Sequence, residues 1–184
     1  MDITDMTPSL HPEWLTTLFA HKSTTRAVFS DVLGIHELHH IALTYVSPQY
    51  SFITLSSTPS LDFNLFSSAL WQLDQSYHPN WIKQCKHAPW QSLYTPERYD
   101  ELYYIKQAKP RYPIGLSMVT KLYDGYMIYS LASRANSNET QLIFQTQQHE
   151  LLQLGQYCTS SLLPLLLNDD VTPPSVSQPL ITGA

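Results

Sequence analysis

The spacing of apolar residues changes several times along the chain, and each change predicts a new element. Helical spacing between residues 12 and 33 predicts one broken helix or two short ones, ending at Gly34. Residues 38–46 and 51–55 are rich in β-branched and aromatic types, which predicts two strands. Ser47-Pro48-Gln49 separates these runs and is typical of a turn.

Residues 60–75 return to helical spacing. Neither the helical nor the strand spacing of apolar residues persists over residues 76–96. We therefore expect a helix followed by an ordered loop, which includes at most one short strand. A short helix is expected from Pro96 to about Lys109. Long loops inside compact domains are often functional, so residues 76–96 are a candidate for part of a functional site.

The clearest local pattern lies between residues 115 and 133. Residues 115–122 and 126–133 alternate between apolar and polar types around Tyr123-Asp124-Gly125, and Asp-Gly is a strong hairpin signal. A helix is expected over residues 139–162, with Pro164 kinking or ending it. Hairpins separated by helices indicate an α+β fold with a mainly antiparallel sheet of about five strands.

Composition sets the domain organisation and excludes several classes. The 184 residues fit one domain, which we place at 12–167 after a lead-in of residues 1–11 and before a flexible Pro/Ser-rich tail at 168–184. The net charge is −5, which argues against a large basic surface for nucleic acid. No apolar run reaches the ~20 residues of a membrane span, and the N-terminus does not resemble a signal peptide. We therefore expect a cytoplasmic protein that does not bind membranes.

One stretch matches a metalloprotease motif. His36-Glu37-Leu38-His39-His40 reads H-E-x-x-H, in which two histidines one helical turn apart bind zinc and the glutamate activates water. Gly34 favours a helix end before the motif, and residues 41–46 favour a strand after it. On a strand, His36 and His40 would lie roughly 13 Å apart, too far for one zinc ion. A zinc hydrolase therefore remains only an alternative, and we expect neither a metal nor another cofactor.

Aromatic residues are concentrated in or beside the aperiodic loop. Such rings supply the apolar walls of a small-molecule pocket and carry N–H or O–H groups that fix a ligand, but plain core beneath the loop is the slightly favoured interpretation. The rings concerned are Trp71, Tyr77, Trp81, Trp90 and Tyr94. Nearby lysines also allow a single-stranded nucleic-acid surface, but the overall acidity makes this the weaker reading.

Several short stretches resemble the sensor half of LuxR-type regulators. Gly34-Ile35 enters a strand, and Leu55-Ser56-Ser57-Thr58-Pro59 closes the next. The later strand pair, residues 114–119 and 125–132, resembles the same family. The similarity spans about residues 12–165 and does not include the helix-turn-helix half.

The resemblance implies an α-β-α sandwich, related in shape to PAS and GAF domains, that holds a small signal molecule between the sheet and one helical layer. It implies a role in quorum sensing and transcription regulation, usually as a dimer, and places Asp74 where the family has a carboxylate that binds the signal. With Tyr45 and Ser130 from predicted strands, the expected ligand contacts are Tyr45, Trp71, Asp74, Tyr77, Trp81, Trp90, Tyr94 and Ser130.

The sequence thus favours a non-enzymatic sensor domain that binds a small apolar or amphipathic molecule. It would regulate by self-association or by pairing with a protein partner, without contacting nucleic acid itself. A protein-interaction module or exported effector that binds no ligand remains the main alternative.

Overall fold

The protein folds as a six-stranded sheet between two helical layers. The computed structural model describes residues 6–167. The strands are β1 (Ser9–Leu10), β2 (His40–Val46), β3 (Ser51–Ser56), β4 (His87–Pro89), β5 (Ile114–Leu122) and β6 (Gly125–Ser133). The α-helices are α1 (Trp14–Ala20), α2 (Lys22–Ser30), α3 (Pro59–Ser67), α4 (Pro79–Ile82), α5 (Tyr99–Tyr103), α6 (Asn138–Thr146) and α7 (Gln148–Leu166).

The strand order is β1-β3-β2-β6-β5-β4, and every pair except β1–β3 is antiparallel. The predicted α+β class and mainly antiparallel sheet are confirmed. The sheet has six strands rather than about five, because β1 joins the edge of β3. Ser9 N–H donates to the Tyr50 carbonyl and His11 N–H to the Phe52 carbonyl. A two-residue strand is too short to produce a periodic pattern, so sequence spacing could not reveal it.

One face of the sheet packs against α2, α6 and α7. Odd-numbered residues of β2, such as Ile41 and Leu43, meet Phe29 of α2 and Leu151 and Cys158 of α7 in a continuous apolar core. This alternation is the period-2 pattern of a strand, with successive side chains on opposite faces. The expected helix over residues 139–162 is divided between α6 and α7, and α7 continues past Pro164 to Leu166.

The other face is covered by α1, α3, α5 and the segment between residues 68 and 98. This segment contains α4, β4 and several short 3₁₀ turns, so the aperiodic loop is ordered but largely irregular. Its rings form a second core with Phe52, Ile128 and Val119 from the sheet. A π-helical turn, Tyr104–Ala108, follows α5 and directs Lys106 and Gln107 into the interior.

Both ends of the chain lie outside the described residues. These are residues 168–184, which were predicted to be a tail, and residues 1–5 of the expected lead-in.

Within residues 6–167, each helix is too short or too polar to cross a membrane.

Candidate functional site

The H-E-x-x-H stretch does not form a helix. His36 and Glu37 have φ values of 53° and 59° in a 3₁₀ turn, and Leu38 is extended. His40 opens β2 and is fully buried, so His36 and His40 do not share one helical face. Among the residues that the structure describes, no group of three or more His, Cys, Asp or Glu side chains is placed to hold a metal ion. The zincin geometry is absent at this stretch.

Most of the predicted ligand contacts gather on the face of the sheet opposite α7. Trp71, Tyr77, Trp90 and Tyr94 belong to one buried cluster. Asp74 is fully buried and forms an isolated β-bridge with Tyr94. Ser130 is buried on β6 between Ile128 and Ala132, two residues of the same cluster that share its face of the strand. These six side chains therefore surround a common interior between the sheet and the second helical layer.

The remaining two predicted contacts lie elsewhere. Tyr45 is on the opposite face of β2, in the core with α7, because odd and even positions of a strand point to opposite sides. Trp81 is half-buried and packs at the margin of the aromatic cluster. Composition identifies aromatic residues, but their face of the sheet follows only from the strand register.

Small side chains form the sheet side of this interior. Ser56, Ala42, Ser130 and Ser117 are neighbours in one cross-strand row through β3, β2, β6 and β5. In the adjacent row, the Cα of Gly115 lies so close to the Trp90 indole that a Cβ atom would overlap the ring. The small residues leave space above the sheet, and large side chains from the covering layer occupy it.

A buried ion pair lies at the centre of the covering layer. Lys106 Nζ donates to Asp74 Oδ2 at 2.6 Å, and the two residues are 1% and 0% exposed. Asp74 Oδ1 also accepts hydrogen bonds from the Ser76 N–H and hydroxyl. The ammonium lies 4.4 Å from the Trp90 ring centroid and 5.4 Å from that of Tyr94. Cation–π contacts of this kind are strongest where the cation is desolvated, as it is here.

A short chain of hydrogen bonds leads from the buried His40 to the half-buried Thr58. His40 Nδ1 lies 3.0 Å from Thr58 Oγ1, which lies 2.9 Å from the Tyr112 hydroxyl. Burial, and then the charges of Lys106 and Arg134, lower the pKa of His40 to about 3, so its imidazole is neutral at physiological pH. A neutral imidazole has one donor and one acceptor nitrogen, and within residues 6–167 only Nδ1 has a hydrogen-bond partner.

Four buried polar atoms face this interior without a hydrogen-bond partner among the described residues. They are His40 Nε2, Asp62 Oδ2, Trp90 Nε1 and Ser117 Oγ. Leaving a buried donor or acceptor unpaired costs about 1–3 kcal/mol, so four in one region is an unusual concentration. The same atoms could each bond to a polar group of a ligand.

Burial makes the Asp62 carboxyl group a weaker acid. Desolvation raises its pKa to about 7, although Ser56 and Lys106 oppose the shift. The interior thus contains one fixed ion pair, one neutral histidine and a carboxyl group that changes charge near neutral pH. Among residues 6–167, the other polar groups of this interior are hydrogen-bond donors and acceptors that lie among aromatic rings.

Sequence reasoning missed Asp62, Lys106 and Ser117 and considered His40 only as a metal ligand. Lys106 carried no signal, because a lysine near the end of a predicted helix normally faces solvent. Ser117 alternates with apolar Leu116 and Met118, so the strand pattern assigned it to a polar face. Only the second helical layer shows that this polar face is buried.

Comparisons with known proteins give similarity in structure without similarity in sequence. No protein-family model matches the chain, and no curated protein matches it by sequence. The fold is similar to that of Escherichia coli SdiA, with a TM-score of 0.55 at 14% identity over 88% of this chain and 71% of that one. SdiA in complex with octanoyl-rac-glycerol gives a TM-score of 0.56 at 12% identity over 95% of this chain and 75% of that one. The ligand-binding domain of VqsR from Pseudomonas aeruginosa gives 0.48 at 13% identity over 82% and 99% of the two chains.

The resemblance to the sensor half of LuxR-type regulators is confirmed at the level of the fold, because SdiA is a regulator of this type. At 12–14% identity the similarity concerns the arrangement of the backbone. At this identity, the similarity assigns no role to the side chains that line the interior.

Proposed function

We propose that this domain is a non-enzymatic sensor that binds a small amphipathic molecule between the sheet and the layer formed by α3, α5 and the 68–98 segment. The observation that carries the proposal is the concentration of four unpaired buried polar atoms among aromatic rings. Aromatic walls with a few convergent polar groups are the usual composition of a small-molecule site. The fold shared with SdiA, which has been solved with octanoyl-rac-glycerol, supports the proposal.

The described side chains specify the chemistry of the proposed ligand. Trp90 Nε1 can only donate a hydrogen bond, whereas the Ser117 hydroxyl can donate or accept. A ligand with both an acceptor and a donor would satisfy them while its apolar part packs on Trp71 and Tyr77. Because Trp90 and Lys106 fill the space above the small residues, binding requires these side chains to move.

The first test is identification of the molecule. Mass spectrometry of material released from gently purified protein is expected to find a bound small molecule. A parallel titration with octanoyl-rac-glycerol is expected to change the fluorescence of the buried indoles, Trp71 and Trp90, in a saturable way. Protein that carries no small molecule and shows no saturable change with this probe would contradict the proposal.

Replacing Ser117 with alanine should separate binding from stability. The Ser117 hydroxyl has no hydrogen-bond partner in the part of the chain that the structure describes, so S117A is expected to unfold at the same urea concentration as the wild type or a higher one. Affinity for the identified ligand, or for octanoyl-rac-glycerol, should fall about three- to tenfold, the range of one neutral hydrogen bond. The exposed Ser92 provides the matched control, and S92A should leave the affinity unchanged. Equal affinities for S117A and the wild type would show that this hydroxyl does not contact the ligand.

We further propose that self-association is the output of the sensor. Leu142 on α6 and Tyr157 on α7 are 58% and 48% exposed, which is high for large apolar side chains. Sedimentation velocity over a range of concentrations should show a reversible dimer, weakened by L142D, which places a charge on this surface. A wild-type protein that sediments as a monomer at every concentration would exclude self-association and leave pairing with a different protein as the proposed output.

A further inference from the structure

A second polar site lies outside the interior, in a cleft of about 550 Å³ between the start of α3 and the turn after the π-helix. Three of the chain's ten Lys and Arg residues line it, Lys109, Arg111 and Arg134. Among the described residues, no carboxylate lines the cleft. In a chain with a net charge of −5, this makes the cleft a local region of positive potential.

The two arginines of the cleft differ in their surroundings. The Arg134 guanidinium lies 5.2 Å from the centroid of the Tyr112 ring. Arg111 has a φ of 62°, a left-handed conformation that is uncommon for a residue with a side chain. Within residues 6–167, neither arginine nor Lys109 has a carboxylate oxygen within 4.0 Å. The three cations are therefore exposed and unpaired in this part of the chain.

The first turn of α3 adds a further positive contribution. Thr58 precedes this helix but does not cap it, because its hydroxyl is engaged with His40 and Tyr112. Ser60, Leu61 and Thr58 line the cleft, so the positive end of the helix lies beside the cations. The acid of the same turn, Asp62, is buried on the interior side, and its pKa of about 7 leaves it partly neutral at physiological pH.

We propose that this cleft binds the phosphate group of a small soluble molecule. Guanidinium groups match phosphate oxygens with paired hydrogen bonds, and three cations with a helix N-terminus suit a dianion better than a singly charged carboxylate. The Thr58–Tyr112 hydrogen bond separates the cleft from the interior, so the two sites bind different ligands or different parts of one ligand. The proposal does not depend on occupancy of the interior.

The test is a titration of the full chain with inorganic phosphate at constant ionic strength, followed by backbone amide NMR shifts. We expect saturable shifts at Ser60, Leu61 and Arg111. R111Q and R134Q should each weaken binding at least tenfold, while K121Q, which removes an exposed charge from the β5–β6 hairpin, should not change it. Because these side chains are exposed, the variants should unfold at the same urea concentration as the wild type.

Two outcomes would overturn the proposal. Shifts that do not saturate, or that K121Q reduces as much as R134Q does, would show only general attraction between phosphate and basic side chains. A second arm compares glycerol 3-phosphate with vesicles that contain phosphatidic acid. Binding to the vesicles alone would assign the cleft to a lipid headgroup instead of a soluble molecule. Neither outcome alters the S117A test, so failure here is distinguishable from failure of the proposed function.

Discussion

The K106M variant is expected to be less stable than the wild type by about 3–5 kcal/mol, the range observed when one partner of a buried ion pair is removed. Methionine retains the unbranched chain that packs beside Trp90 but provides no charge for Asp74. The Asp74 carboxylate would keep its hydrogen bonds from Ser76 and lose its only ionic partner among the described residues. Urea denaturation followed by circular dichroism measures the difference.

A double variant identifies the cause of that loss. In K106M/D74N the uncompensated charge is absent, and an asparagine oxygen can still accept from Ser76. We expect the double variant to recover most of the stability lost in K106M, because an unpaired buried charge costs more than the pair contributes. K83M removes an exposed lysine and should change stability by less than about 0.5 kcal/mol. If K106M/D74N were as unstable as K106M, the loss would come from packing and not from charge.

Asp62 should make stability depend on pH across the neutral range. Its pKa rises from 3.8 in the unfolded chain to about 7 in the folded protein, because burial disfavours the charged form. The folded state therefore holds the proton more tightly, and the contribution of Asp62 is fully present below pH 3.8 and is lost as pH rises towards 7. About three pKa units correspond to about 4 kcal/mol. Relative to the wild type, D62N should thus become progressively more stable from pH 4 to pH 8.

The comparison with D62N separates the effect of the Asp62 carboxyl group from that of other groups whose charge changes with pH. His40 contributes with the opposite sign, since its pKa is lowered to about 3 and its contribution is lost as pH falls. Urea denaturation of the wild type and D62N at each pH cancels the His40 effect. D100N alters an exposed carboxylate and should give a nearly constant difference from the wild type. A constant difference for D62N as well would show that the carboxyl group is hydrated in the folded protein.

Sequence patterns predicted the central strands because their apolar residues follow a regular spacing. The alternation over residues 115–133 predicted β5 and β6, which begin and end within one residue of the expected positions. Gly34 was expected to follow directly on a helix that reaches residue 33, but α2 ends earlier, at Ser30, and Gly34 lies in the following turn with a φ of 96°. The expectation that residues from Leu38 onwards are extended is also confirmed, and this separates His36 from His40.

The covering layer was harder to predict because irregular backbone has no period. Trp71, Tyr77, Trp90 and Tyr94 were selected on composition, and the structure places all four in one cluster. Their role as ligand contacts stays a prediction. Tyr45 was selected on the same grounds and faces α7 instead, because which face of a strand lies next to which layer is a property of the assembled sheet.

The sequence by itself determined the α+β class, the order of the main elements and the aromatic character of the covering layer. These follow from local periodicity and turn chemistry, which act between residues close in the chain. Only the tertiary structure decided that Lys106 meets Asp74 across 32 residues and that His40, Asp62 and Ser117 share one buried interior. Such groups look like ordinary surface residues in the sequence, since the free energy of burying a polar side chain depends on distant segments that happen to cover it.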